Sequence, residues 1–464
     1  MMKPQTIAVI GAGPVGLAAA AHAVARGVKP VVLEAGPAIG HAVREWSHVR
    51  MFSPWWYNVD KAAAQLLKAV GWNAPDPQSY PTGGELLAQY LEPLAARTDL
   101  REHIVTDAAV TAVSRLGFDK VKTKGREAAP FHVRYRNGKG DKALLADAVI
   151  DTSGTWFSPN PAGANGLAAI GEADVAERIR YGAPDVFGTL RDRYAGKLTA
   201  VLGSGHSAIG TLLELARLQD EAPETQIIWI IRGDNPEKSF GGGENDQLAA
   251  RGELGAAFAR LAGEGRLRVE TGFHVSHLGE QDGRLRIGAG GACCGRHLCV
   301  DELIVATGFR SNLSFLSEMR LGLDPSLDCP IALAPLIDPN EHSCGTVRPH
   351  GAVELAHPEP GFYIAGMKSY GRAPTFLMMT GYEQVRSIVA ELAGDHEAAR
   401  RVELELPETG VCSVSRDGAS DCRGGPAKAD AEACCVADEA AKADGAAGCG
   451  CAPAPARPET ACCG

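Results

Sequence analysis

The sequence predicts an α/β fold in which one β-α-β unit is inserted into another, followed by a disordered, cysteine-rich C-terminal tail. Three observations carry that prediction. TIAVI (6–10) runs into GAGPVG, an alanine-rich helical stretch and the strand-like PVVLE. LTAVL (198–202) runs into GSGHSA, the helical AIGTLLELARL and QIIWII. From Asp417 onward the chain has no Leu, Ile or aromatic residue, so it cannot bury enough apolar surface to fold alone.

The order strand, glycine turn, helix, strand, acid in the first unit is that of a Rossmann-like dinucleotide-binding βαβ element. Gly11 and Gly13 allow a tight turn and close backbone approach, Gly16 lets helix and strand pack, and Pro14 belongs to the same expected cofactor-binding turn. A pyrophosphate would sit on the helix N-terminus, and Glu34, eighteen residues past Gly16, would hold a ribose hydroxyl pair. The second unit repeats the pattern with Gly203, Ser204, Gly205, His206, Ser207 and Ala208. Its second strand is followed by Arg232 rather than an acid. A guanidinium there can pair with a ribose 2′-phosphate, which points to NADPH, although Asp234 stands close by.

Two further runs, DAVIDTSG (147–154) and DELIVATGF (301–309), read as buried strands that bracket the second unit. The domain boundaries expected from this are 1–160 and 301–406 for the interrupted first domain, 161–300 for the inserted one, and 407–464 for the flexible tail. After GFYIAG (361–366) a helix is expected to start near Pro374.

Composition limits the partners. With 464 residues, 45% of them apolar, and a formal net charge of −10, the chain can build ample core and is a poor candidate for nucleic-acid binding. The run from Ile7 to Val28 is broken by glycines and a proline, and no apolar stretch is long enough to span a bilayer, so a cytoplasmic location and no membrane partner are expected. In that compartment the 13 cysteines point to ligation or redox chemistry more than to disulfides. Dimerisation is left open.

Taken together, GAGPVG with Glu34, GSGHSA with Arg232, VATGF, and GFYIAG with its following helix resemble the flavin-dependent monooxygenases, across roughly residues 5–400. More narrowly, HVRMFSPWWYNVD, IDPNEHSCGTV, GMKSYGRAPTFLMMTGYEQVRSI and LPETGVCS are similar to flavoproteins of arsenic-resistance operons, which oxidise trivalent arsenicals or antimonite. The resemblance implies FAD on the first unit, with Gly366 and Thr375 adding to its site, and NADPH on the second. It implies oxygen transfer from dioxygen to a small-molecule metalloid through a flavin hydroperoxide, with no side chain acting as nucleophile. It also implies a metalloid site at Cys344 and Cys412, with Cys329 as a weaker third. Two departures stand out: Met367 follows Gly366 where many relatives carry an acid, and no FxGxxxH signature precedes GSGHSA.

Oxygen chemistry needs a dry flavin, and Trp46, Phe52, Trp55, Trp56 and Tyr57 could form such a wall or could be interdomain core. The loop FGGGENDQLAARGELG, with Lys238 and Arg251, is either a cover for the NADP phosphate or a surface segment. The pairs Cys434/Cys435 and Cys462/Cys463 are too close along the chain for unstrained disulfides. As reduced thiols they suit a thiophilic trivalent metalloid, another soft metal, or no ligand at all. Two other functions stay open: an N- or S-oxygenase of small organic molecules, and a thiol- or metal-binding flavoprotein reductase. Cys293 and Cys294 lie far past the second glycine motif, which disfavours the reductase.

Overall fold

The computed structural model describes residues 5–240, 248–290, 295–341, 347–373 and 376–404. The chain divides after Ser413 into two units, and the second, Val414–Gly464, lies outside the described residues together with the tail cysteines.

Two five-stranded sheets organise the first unit. The first holds β1 (Thr6–Ile10), β2 (Lys29–Leu33), β3 (Ile104–Val105), β7 (Ala148–Asp151) and β16 (Phe362–Ile364) in the order β16-β7-β1-β2-β3, all parallel. The second holds β8 (Ile179–Tyr181), β9 (Leu198–Leu202), β10 (Gln226–Ile230), β11 (Arg268–Glu270) and β15 (Glu302–Val305) in the order β11-β10-β9-β15-β8, also all parallel. An antiparallel meander covers one face of each. Strands β4 (Ala109–Arg115), β5 (Phe131–Asn137) and β6 (Gly140–Ala146) form one. Strands β12 (Val275–Gln281), β13 (Arg284–Ala289) and β14 (Arg296–Val300) form the other.

Near-continuous burial of β1 and β9 follows from covering both faces, as parallel sheets require. Alternate side chains go to different cores. Ile7 and Val9 join the cluster packed on the helices, whereas Ala8 and Ile10 join the cluster under β4–β6. Ala200 and Leu202 face the β12–β14 meander while Val201 faces the helix side. Helix α1 (Pro14–Ala25) and helix α2 (His206–Glu221) follow the two glycine turns, and α3 (Met378–Leu392) packs against α1.

The strand Glu302–Val305 differs from expectation. Its place in the sequence puts it at the start of the returning part of the first domain, yet it lies in the second sheet between β9 and β8. An apolar run shows that a strand is buried but not which strands it pairs with. Pairing makes DAVIDTSG and DELIVATGF equivalents: β7 flanks β1 as β15 flanks β9. The return crossing therefore begins after Val305. The helix expected from Pro374 starts instead at Met378, while Pro374 and Thr375 lie outside the described residues.

A buried ionic clamp joins the first meander to the approach to β16. Glu359 is 1% exposed and accepts from Arg115 Nε at 2.9 Å and from Arg126 Nη2 at 2.7 Å. Arg115 also lies over the Phe131 ring, 3.6 Å from its centroid. Among the described residues, no helix is long and apolar enough to cross a membrane.

Candidate cofactor and substrate cavity

Both glycine turns are shaped by the same steric demand. Gly11 has φ +99°, and a Cβ there would sit 2.9 Å from the Thr152 carbonyl oxygen at the exit of β7. Gly203 has φ +139°, and its Cβ would sit 2.3 Å from the Ala306 carbonyl oxygen at the exit of β15. At Gly16 a Cβ would meet the Gly11 carbonyl oxygen at 2.0 Å. By contrast Gly13 and Gly205, the N-caps of α1 and α2, face open space within 4 Å. Neither cap carries a side chain, so the first N–H groups of each helix remain available to an anion.

Glu34 follows β2 and is 8% exposed. Its Oε2 accepts from Ala12 N–H at 2.7 Å and its Oε1 from Gly36 N–H at 2.9 Å. The carboxylate thus holds the glycine turn against the strand tip, and the second lone pair on each oxygen remains for a ribose hydroxyl. Gly366, at φ +74°, donates its N–H to Gln384 Oε1 at 2.7 Å and packs on Val15. Thr375 lies outside the described residues.

In the second lobe His206 and Ser207 open α2 and line the cavity, with the His206 ring 5.2 Å from that of Phe52. Ala208 is buried in the core and Ser204 is exposed. Arg232 is exposed at the tip after β10 and donates to the Ala164 carbonyl at 3.0 Å. It stands outside the cavity lining, at the position expected for the far end of a dinucleotide. Arg251 is buried on the helix Ala249–Gly263, and residues 241–247 of its loop lie outside the described set.

A single cavity of about 1050 Å³ reaches from Gly11, Gly13 and Glu34 in the first lobe to His206 and Ser207 in the second. That is at the upper end of small-molecule sites, roughly 300–1,000 Å³, and suits an extended cofactor with room for a second ligand. Open space over Gly13 and Gly205, bare helix N-termini and the Glu34 carboxylate all fit FAD on the first lobe and a pyridine nucleotide on the second.

The aromatic wall is only partly the expected one. Trp46 and Phe52 line the cavity, but Trp55 and Tyr57 are buried in the protein core, and Trp56 is 45% exposed against Tyr57. The remaining wall is supplied by Trp156, Phe157, Phe187, Phe309, Phe315 and Phe376, none of which was singled out in the sequence. Trp156 and Phe309 stack at 4.8 Å, joining the outgoing and returning crossings between the sheets. A signal was present: an aromatic residue follows closely on the exit glycine of both equivalent strands, in GTWF and in GF.

Charged groups cluster on one side. The Arg217 guanidinium lies 4.1 Å over the Phe187 ring and bonds both carboxylate oxygens of Glu214, at 2.9 and 2.8 Å. Burial raises the Asp185 pKa, but the N–H and hydroxyl of Thr189, His48 and the N–H of Gly188 outweigh it, holding the carboxyl below its usual range.

Cys329 is not brought to this cavity. It is fully buried among Leu327, Leu333 and Ala334, and burial, reinforced by Asp324, pushes its thiol up to about 12. A neutral thiol inside the core packs as a small apolar side chain. Cys329→Ala is expected to leave turnover within about twofold and to cost roughly 1 kcal/mol of stability, read by kinetics and thermal melting. Cys344, Cys412, Cys434, Cys435, Cys462 and Cys463 lie outside the described residues. Among the described residues no group of three or more His, Cys, Asp or Glu side chains is placed to hold a metal ion.

Fold and site define the class: an α/β fold with two dinucleotide-binding lobes, like that of FAD- and NAD(P)-dependent oxidoreductases. Residues 8–135 match the family model described as pyridine nucleotide-disulphide oxidoreductase. A flavin-containing monooxygenase of Arabidopsis thaliana, named FMO GS-OX-like 2, is 25% identical over 239 residues, which cover 46% of this chain and 48% of that protein. The match thus spans about half the length of that relative. The bacillithiol disulfide reductase Bdr from Bacillus cereus superposes with a TM-score of 0.62 at 18% identity, covering 84% of this chain and 99% of that one. The cadaverine monooxygenase DfoA from Erwinia amylovora superposes with a TM-score of 0.59 at 14% identity, covering 89% and 100%. At these identities the two structures speak for the fold.

Proposed function

We propose that the protein is a monooxygenase that oxidises trivalent arsenic or antimony to the pentavalent state. The observation that supports oxygen transfer most directly is the shared cavity, which offers a dinucleotide cradle at each end and aromatic walls between them. When bound, FAD accepts two electrons as hydride from NADPH and delivers one atom of dioxygen to a substrate lone pair. The balance is NADPH, a proton, dioxygen and As(III) giving NADP⁺, water and an As(V) oxyanion.

The chain's own contribution is arrangement. The α1 N-terminus and Glu34 would hold the FAD pyrophosphate and ribose, while the α2 N-terminus would hold the NADPH pyrophosphate. Trp46, Phe52, Trp156 and Phe309 would keep water from the reacting centre, where it would divert oxygen to peroxide. Cys344 and Cys412 would hold the metalloid as a thiophilic species, and oxidation to a hard oxyanion would release it. The paired tail cysteines would capture it from solution.

NADPH oxidation in air, measured with arsenite, antimonite, methylarsenite and a panel of amines and sulfides, tests this reading. Metalloids should stimulate consumption by at least about tenfold and appear as the +5 species, whereas Cys344→Ser and Cys412→Ser should remove the stimulation with FAD still bound. Stimulation by amines or sulfides alone would instead identify an N- or S-oxygenase, which the similarity to the flavin-containing monooxygenase favours as the second reading.

A further inference from the structure

The geometry points to Lys368 as a positioning residue that holds the NADPH-binding lobe in register with the flavin-side turn. This rests on the two-cofactor reading above, though not on the identity of the substrate.

Lys368 lies two residues past Gly366 and one past Met367, both of which line the cavity. Its side chain is 1% exposed, and it faces Asp151, which is fully buried. Its contacts reach both crossings between the sheets. Nζ donates to Asp151 Oδ2 at 2.7 Å, at the tip of β7, and to Ser153 Oγ at 3.0 Å, at the start of the outgoing crossing. Nζ also sits 4.5 Å from the Phe315 ring centroid, on the chain that returns from the second lobe. Its own carbonyl accepts from Ser311 Oγ at 3.1 Å, on that same return. Asp151 Oδ1 completes the node by accepting from Ser153 N–H at 3.0 Å.

The two crossings are laced to each other as well. Asn160 N–H donates to the Gly308 carbonyl and Arg310 N–H to the Ser158 carbonyl, each at 2.9 Å. A rotation of the second lobe must therefore carry both crossings against Lys368. A buried ammonium is costly unless it is paired and fully hydrogen-bonded, and an apolar residue could fill the same space without that cost. What the charged side chain adds is direction: its bonds to Asp151 and Ser153 fix one crossing and its backbone fixes the other, beside the cavity-lining turn at Gly366 and Met367. Hydride transfer is sensitive to donor–acceptor spacing on the ångström scale, so it is the step this register governs.

The test uses the full chain with FAD bound, in two variants. Lys368→Met/Asp151→Asn removes both charges together and leaves no buried ion unpaired. Ser311→Ala cuts one tether and leaves the ion pair intact. Anaerobic reduction of the flavin by NADPH should slow about tenfold in the first and about threefold in the second, with half-saturating NADPH unchanged within about twofold. Dithionite-reduced variants should react with dioxygen at the parent rate. Hydrogen exchange should speed up at residues 152–160 and 306–313 and stay unchanged at Thr6–Ile10. Parent-like reduction and exchange in both variants would overturn the assignment. If the double variant loses its flavin, a parent-like rate in Ser311→Ala overturns it equally. If NADPH fails to reduce the parent protein, the two-cofactor reading falls instead, and the exchange measurement, which needs no turnover, still decides whether Lys368 holds the crossings.

Discussion

Gly16→Ala is expected to yield protein that purifies nearly free of flavin. The added Cβ would stand 2.0 Å from the Gly11 carbonyl oxygen and 2.7 Å from Thr152 Oγ1. The first contact is with backbone, so no rotamer change relieves it, and α1 must move away from the turn that follows β1. That turn carries Gly13 at the cap of α1, and Gly13, Pro14 and Val15 line the cavity. Overpacking of this kind costs typically 1–3 kcal/mol, occasionally more. Even about 3 kcal/mol charged against the bound state weakens FAD binding by roughly 100-fold. The ratio of flavin to protein absorbance after purification, with a fluorescence titration of added FAD, reads the effect. Gly13→Ala is the matched control: its Cβ meets nothing within 4 Å in the protein, so any loss of flavin there reports contact with the ligand.

Glu359→Gln is expected to cost the first lobe several kcal/mol of stability, roughly 3–5. The carboxylate bonds Arg115 and Arg126, and all three side chains are at most 4% exposed. Removing its charge leaves two buried guanidinium groups without a counter-ion, a change that costs about 3–5 kcal/mol where one partner of a buried pair is lost. Burial alone would raise the Glu359 pKa, but the hydrogen bonds and charges of Arg126 and Arg115 outweigh it and hold the carboxyl below its ordinary value. The clamp's stabilisation is therefore complete above the unfolded-state pKa, about 4.3 for Glu, and is lost as pH falls through the lower folded value. Denaturant melts from pH 7 down to pH 3 should show the parent losing stability at the acid end. Glu359→Gln should start lower and lack that part of the slope. A variant as stable as the parent at pH 7 would show that the guanidinium groups find sufficient carbonyl partners without the carboxylate.

Much of the architecture was legible in the sequence because its signals are local. A parallel strand buried on both faces is a short apolar run, so TIAVI and LTAVL coincide with β1 and β9. Pro14 takes the first position of α1, where its missing N–H costs nothing. Likewise, Gly11, Gly16 and Gly203 answer to contacts that a β-α-β turn makes with its neighbouring strand. The start of α3 was less legible: Pro374 is a good first-turn residue, yet the helix begins at Met378, after Leu377 in extended conformation.

The sequence by itself determined the two nested dinucleotide turns and the residues at their tips, since each depends on backbone sterics and charge within a few tens of residues. Only the tertiary structure decided the rest. It put Glu302–Val305 in the second sheet, Cys329 in the core, and Trp156 and Phe309 rather than Trp55 and Tyr57 against the cavity. It also brought Lys368 to Asp151, 217 residues away in the chain. The reason is physical: an apolar or charged residue announces that it needs a partner, but its partner is chosen by which distant segments the packed sheets and crossings bring within contact distance.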